Sequence, residues 1–277
     1  MVQERKAKAE TPAGSRIGAR AELLERPLSP RSLIGSLLLG MRRPRMPGAR
    51  LVEWCSLFGV AEGTARVALS RMVDRGELTT ADGVYELAGH LRGRQPAQDW
   101  SLDPALGDWN GDWLLGVVAP GPRSAPERAA LRDAGRRLRV VELREGVWTR
   151  PDNLPRAAGG EEAWNVADEQ CTWWWARPDA AGVADAAARF EPAAWAARAR
   201  SLHGHLESAT AAVDATDGAT IADAFVVGAA ALAHVRADPL LPAELCERDW
   251  PGADLRGTYR EYQSAFSAAV RDWFRSR

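Results

Sequence analysis

The 277-residue sequence predicts an α+β chain in three successive parts: a small helical head closed by a strand hairpin, a mixed middle, and a mostly helical C-terminal region. Three observations carry this. Apolar residues recur at helical spacing through residues 29–75, then give way to two short β-prone runs across an Asp-Gly pair. Strand-like and helix-like runs alternate through residues 109–190. From residue 192 the pattern is helical almost to the end.

The elements follow in order. Residues 1–28 mix Lys, Glu, Arg, Ala and Pro without apolar periodicity and read as a flexible tail. A helix opens at Pro30; Leu33, Ile34, Leu37 and Leu38 form its buried stripe, and Gly40 ends it. Arg42 to Gly48 holds two prolines and cannot be regular helix. A second helix spans about Ala49–Leu57, Phe58-Gly59-Val60 turns the chain, and a third runs from Glu62 to Arg75. Its inner stripe is Ala65, Ala68, Leu69 and Met72. Gly76 suits the left-handed position after a helix. Glu77–Thr80 and Val84–Leu87 are strands joined across Asp82-Gly83. Three helices and a hairpin in this order are those of a winged helix-turn-helix.

His90–Pro104 reads as a linker, with Gly93, Pro96 and Pro104. In the middle region strands are expected at Trp113–Val118, Arg139–Arg144, Gly146–Thr149 and Cys171–Ala176. Helices are expected at Pro126–Leu138 and Ala180–Arg189. The β-α-β-β(-α) order suggests a ferredoxin-like domain. Helices are expected at about 192–214, 219–235 and 256–275, with an irregular joint from Asp238 to Gly252. The expected domains are 29–92, 105–190 and 191–277.

Composition narrows function. Net charge is −1, but residues 1–100 carry 16 Lys/Arg against 11 Asp/Glu, and the remaining 177 carry 20 against 26. A basic head on an acidic body confines polyanion contact to the head. Ile221–Val235, interrupted by Asp223 and His234, falls short of the ~18 apolar residues of a membrane helix. The polar N-terminus has no secretory h-region, so a cytoplasmic protein without membrane attachment is expected. Cys55, Cys171 and Cys246 form neither a CxxC pair nor a disulfide framework; they read as small buried hydrophobes, with a redox-sensing thiol as the alternative.

Four segments resemble the PaaX family of repressors, named for control of phenylacetate catabolism. They are Thr64–Leu78, which is similar to that family's recognition helix and wing entry; Trp109-Asn110-Gly111-Asp112-Trp113; Glu145–Asn153 with its Arg150-Pro151-Asp152-Asn153 turn; and Arg236–Pro242 with Asp249-Trp250-Pro251-Gly252. The resemblance spans roughly residues 30–275 in the family's order. It implies a winged-helix head, a ferredoxin-like middle, a helical C-terminal domain and a homodimer. It also implies negative control of a catabolic operon, relieved by a small effector, an aryl-CoA thioester in the best-known members. One departure is the wing: Thr79–Leu87 contains no Arg or Lys, whereas the family usually has a basic residue there. No motif identifies the effector.

The residues supply a chemistry for double-stranded DNA. On the third helix Gly63, Arg66, Val67, Ser70 and Asp74 face away from the stripe, with Arg71 on the flank. Such a helix fits a major groove about 12 Å wide. Arg66 can fork to a guanine edge; Ser70 can bond a base edge or a phosphate, and Arg66, Ser70 and Arg71 are the expected reading residues; Thr64 opens the helix where free N–H groups suit a phosphate. Arg42, Arg43, Arg45 and Arg50 are candidate phosphate contacts. The bland alternative is a solvated helix face with Arg66 and Arg71 paired to Glu62 or Asp74.

A second cluster is aromatic. Trp164 and Trp173-Trp174-Trp175 lie near Arg150 and Arg177, a candidate effector site for an aromatic or acyl thioester, with core packing as the plainer reading. His203-Gly204-His205 with Glu207 lacks a further ligand at a usual spacing, so no metal and no cofactor is expected. Gly-rich phosphate loops, HExxH and GxSxG are missing, and the first central strand, Trp113–Ala119, has no acidic residue with which a metal-dependent nuclease would hold Mg²⁺. A regulator, not an enzyme, is expected. The alternatives are an effector- or partner-binding scaffold with a degenerate head and, behind it, a nuclease-like protein.

Overall fold

A computed structural model describes residues 22–24 and 27–277. The expected tail, 1–28, otherwise lies outside the described residues. The chain is α+β, with two small antiparallel sheets. It divides into two compact units that do not follow chain order: Met1–Ala97 with Leu202–Leu232 and Thr258–Arg277, and Gln98–Ser201 with Ala233–Gly257.

In the first unit, α1 (Pro30–Leu39) begins at a capping box. The Ser29 hydroxyl accepts from Ser32 N, the Ser32 hydroxyl accepts from Ser29 N, and Pro30 fills the first helical position, where its missing N–H costs nothing. Strand β1 (Arg45–Pro47), helices α2 (Gly48–Ser56) and α3 (Glu62–Asp74), and strands β2 (Leu78–Ala81) and β3 (Val84–Leu87) follow. Gly76, at φ +67°, ends α3: its N–H donates to Val73 O, and Glu77 N–H donates to Met72 O. Asp82 and Gly83 both have positive φ, the type I′ geometry that matches strand twist. The sheet order is β1-β3-β2, with Arg45 opposite Glu86 and Thr80 opposite Tyr85. Strand β1 was not expected: three residues ending in proline show no alternation, and pairing with β3 makes them a strand.

The core of this unit joins Leu33, Ile34, Leu51, Trp54, Leu69 and Met72 to residues of two C-terminal helices. These are α10 (Gly218–Arg236), through Ile221 and Phe225, and α11 (Gly252–Arg275), through Val270 and Trp273. Trp54 packs edge-on against Phe58 and Phe225, at 5.2 Å each, and its indole N–H donates to Leu33 O. By length and composition α10 could cross a membrane, its best window averaging 1.6 in hydropathy despite Asp223 and His234; here most of that window is buried in the fold.

Helices α4 (Gly89–Arg92) and α5 (Arg94–Leu102) replace the expected linker. Pro96 sits in the first turn of α5, where a missing N–H is harmless, and Gly93 caps α4.

In the second unit the order is β4 (Trp113–Val118), α6 (Ala125–Leu138), β5 (Val141–Arg144), β6 (Val147–Pro151), a 3₁₀ turn (Arg156–Gly159), α7 (Glu161–Gln170), β7 (Cys171–Ala176) and α8 (Ala180–Ala188). The antiparallel sheet order is β5-β6-β4-β7. Helix α7 was missed because its stripe is only Ala163, Trp164 and Ala167, broken by the polar Asn165. Arg139, expected in a strand, instead caps α6 in the left-handed conformation. Gly116 lies opposite Trp173; a Cβ there would stand 2.6 Å from the indole, so the missing side chain makes room for the ring. Leu114, Leu131, Leu138, Ala163 and Trp164 form the core under the sheet. Helix α9 (Pro192–Ala212) completes the chain.

A buried polar network runs through this unit. The Arg150 guanidinium donates to Pro151 O, Leu138 O and Asn153 Oδ1, and Asn153 donates to Leu240 O. Asp238 pairs with Arg256 at 2.6 Å, both buried, and Arg256 also donates to Ser101 O and Gly252 O.

Candidate nucleic-acid interface

Helix α3 turns Ala65, Leu69 and Met72 inward, with Ala68 half-buried. Gly63, Thr64, Arg66, Val67, Ser70, Arg71 and Asp74 are exposed on its other side. Its first turn has no side-chain cap, leaving first-turn N–H groups open toward solvent. Arg66 is held by Glu62 at 2.7 Å, but both side chains are more than 60% exposed. Such a pair is weak and can be exchanged for a phosphate or a base edge. Arg42, Arg43 and Arg45 are exposed as well. Arg50 differs: it is half-buried, pairs with Glu53 at 3.0 Å and lies over the Phe274 ring, so it has packing to do within the unit. The hairpin tip, Thr79–Gly83, is exposed and bears Asp82 as its one charge. The hairpin is tied back to α1 at its base, where Glu77 accepts two hydrogen bonds from Arg31 at 2.7 Å each; this holds the largely buried Glu77 carboxyl below the usual carboxylate range.

The aromatic candidates separate. Alternation puts Trp173 and Trp175 on the sheet face that carries α6 and α7, and Trp174 on the other. Trp173 packs edge-on against Trp164. Trp174 is 57% exposed. A cleft of about 100 Å³ brings together Arg150, Trp164 and Trp175 of the expected set. It leaves out Trp173, Trp174 and Arg177. Arg177 instead binds Asp112 at 2.8 Å and Asn110 O, bracing the Trp109–Trp113 segment. Sequence reasoning missed Asp152, Leu154 and Arg156, which also line the cleft. The signal that could have found them is their place in the turn that follows Arg150.

His203 and Glu207 approach to 3.5 Å, and no group of three or more metal-ligating side chains forms among the described residues. Burial pushes Cys55, Cys171 and Cys246 up to about 11.

Comparison with known proteins decides the family. The PaaX-like protein family matches residues 29–91, and the PaaX-like protein C-terminal domain matches residues 190–276, together more than half of the chain. This chain belongs to the PaaX-like family. A solved relative, the uncharacterized protein Rv0674 from Mycobacterium tuberculosis, is 35% identical over 88% of this chain and 98% of that one, with a TM-score of 0.67. No curated protein matches. The PaaX-like family is one of transcription regulators, so the role is regulatory. Of the four segments that resembled the family, the first lies on α3 and the hairpin. Parts of the other three, from Asp112, Arg150, Asn153 and Asp238, make the hydrogen bonds that hold the second unit together.

Proposed function

We propose that this chain is a sequence-specific DNA-binding regulator, a homodimeric repressor of a catabolic or secondary-metabolic operon released by a small effector. One observation carries the reading: α3 presents Thr64, Arg66, Ser70 and Arg71 on one exposed face, behind a helical turn and ahead of a two-stranded hairpin. The order α1-β1-α2-α3-β2-β3, with β1 added beside β3, supports a winged helix-turn-helix whose third helix enters the major groove. Arg66 and Ser70 read base edges; Arg71, Arg42, Arg43 and Arg45 hold phosphates; Arg50 contributes a phosphate contact only by giving up Glu53. The order β5-β6-β4-β7 supports a ferredoxin-like middle domain, and the cleft beside α7 is the effector site of this proposal. Residues 29–92 serve as the reading head, 105–190 as the effector domain, and 191–277 as the helical region completing both units. A gel shift on the upstream region of its own gene tests this: affinity should fall steeply with salt as phosphate contacts release counterions. Tight binding that ignores salt would contradict it.

A second reading, a partner- or effector-binding scaffold with a degenerate head, is favoured by the wing, where Thr79–Leu87 lacks any cation. The same titration decides: a scaffold binds the upstream DNA no better than unrelated DNA.

A further inference from the structure

The cleft in the second unit has an unusual charge. Its walls are largely apolar, with Leu114, Leu138, Leu154, Trp164 and Trp175 among them, yet Arg150 also lines it. Arg150 is 3% exposed, and the three acceptors that meet its guanidinium are neutral. A guanidinium has five N–H donors, so two remain. Among the described residues no carboxylate lies within ion-pair distance of Arg150, and the Arg139 side chain nearby donates to carbonyl oxygens and lies over the Trp100 ring, with no carboxylate in ion-pair contact. The end of α6, whose last carbonyl Nη1 reaches, offsets part of this charge. Burial, with Arg139 adding repulsion and Asp152 offsetting part of both, pushes Arg150 down to about 9.

Two other charged side chains line the cleft. Asp152 accepts the Trp175 indole N–H at 2.8 Å. Arg156 pairs with Asp168 while lying over the Trp164 ring, 4.2 Å from its centroid. Asp152 attracts Arg150 from beyond ion-pair distance and supplies only part of the compensation; a buried cation with no carboxylate in contact is costly, and a ligand that sets a negative charge on its free N–H groups recovers part of that cost. Leu138, the residue whose carbonyl meets Nη1, lines the same cleft, which sets the guanidinium end close to it.

We propose that this cleft binds a small monocarboxylate with an apolar body, the carboxylate on the free N–H groups of Arg150 and the hydrocarbon against Trp164, Trp175 and Leu154. Size limits the part of the ligand that enters: about 100 Å³ is somewhat less than the roughly 150 Å³ engineered cavity that holds benzene, so the cleft takes a short chain or part of one ring. The proposal deepens the effector reading by naming the ligand class, and it can fail separately from that reading.

The test is calorimetric titration of the full chain, without DNA, using benzoate, hexanoate and their neutral amides at millimolar concentration. One saturable site is expected for at least one carboxylate, with its amide at least tenfold weaker. Arg150→Gln should remove the preference for carboxylate over amide. Because Arg150 is buried and its replacement can unfold the unit, Trp175→Ala, at an exposed position, gives the second arm: carboxylate affinity should drop several-fold in a chain of unchanged circular dichroism. No carboxylate binding, equal binding of acid and amide, or affinity untouched by Trp175→Ala would each overturn the proposal. A gel shift repeated with the bound carboxylate present separates the two readings: unchanged DNA affinity would keep the cleft assignment and remove the effector reading.

Discussion

The two compact units bury different chemistry. The first, which holds α3 and the hairpin, packs Leu, Ile, Trp and Phe side chains into one apolar core, and buries the Glu77 carboxyl, held by Arg31. The second buries Thr149, Arg150, Asn153, His234, Asp238 and Arg256 in addition to its apolar cluster. An apolar core tolerates loss of a contact in proportion to the cavity left. A buried polar network does not, because removing one partner strands the other in a medium that cannot solvate it.

The contrast can be broken by mutation. The largest effect is expected at Asp238. Asp238→Ala leaves the Arg256 guanidinium buried without its carboxylate, at a cost of about 3–5 kcal/mol in denaturant unfolding. The double variant Asp238→Leu/Arg256→Met should recover much of that loss. A double variant as unstable as the single one would show that the pair contributes more than mutual neutralisation. Next comes Leu51→Ala in the apolar core, about 2–4 kcal/mol, with no partner change able to rescue it except refilling the space.

Smaller effects follow elsewhere in the first unit. The Glu77 carboxyl is depressed in the folded chain, so its contribution is present above the unfolded value of about 4.3 and is lost as pH falls through the folded value. Thermal melts should therefore show wild type losing more stability than Glu77→Gln on acidification below pH about 4.5. Equal losses would mean that Arg31 does not tie the hairpin to α1 in solution. The smallest stability effect belongs to Arg66→Ala/Arg71→Ala, within about 0.5 kcal/mol, since both side chains are exposed. The same pair should lower the salt slope of DNA binding by about 1, through Arg71, since Arg66 meets a base; a drop of about 2 would place both on phosphates.

The same contrast explains what was legible in the sequence. Helix stripes, the Pro30 helix start, Gly76 and the Asp82-Gly83 turn depend on neighbours a few residues away, and the first unit is built largely from such signals. The polar network depends on distant partners: Asn153 meets Leu240 across 87 residues, Arg139 meets Asp238 across 99, and Arg256 meets Ser101 across 155. No periodicity records these. Helix α7 and strand β1 were lost for a related reason: their own patterns are too short, and tertiary pairing decides them. The exposed face of α3 was legible because it is the complement of a regular stripe. The cleft was half legible. Period two divides the three tryptophans between faces, but which face a helix covers, and that Arg177 serves Asp112 and not the cleft, follow only from the fold.

The central claim is that α3 reads DNA. The most direct measurement is genome-wide capture of DNA bound to the purified full chain, wild type beside Arg66→Ala/Arg71→Ala. The account predicts that wild type enriches a palindromic site with half-sites about one helical turn or a multiple apart, and that the folded double variant loses that enrichment. Wild type capturing no sequence above background at low salt, or a double variant capturing the same site equally well, would contradict it.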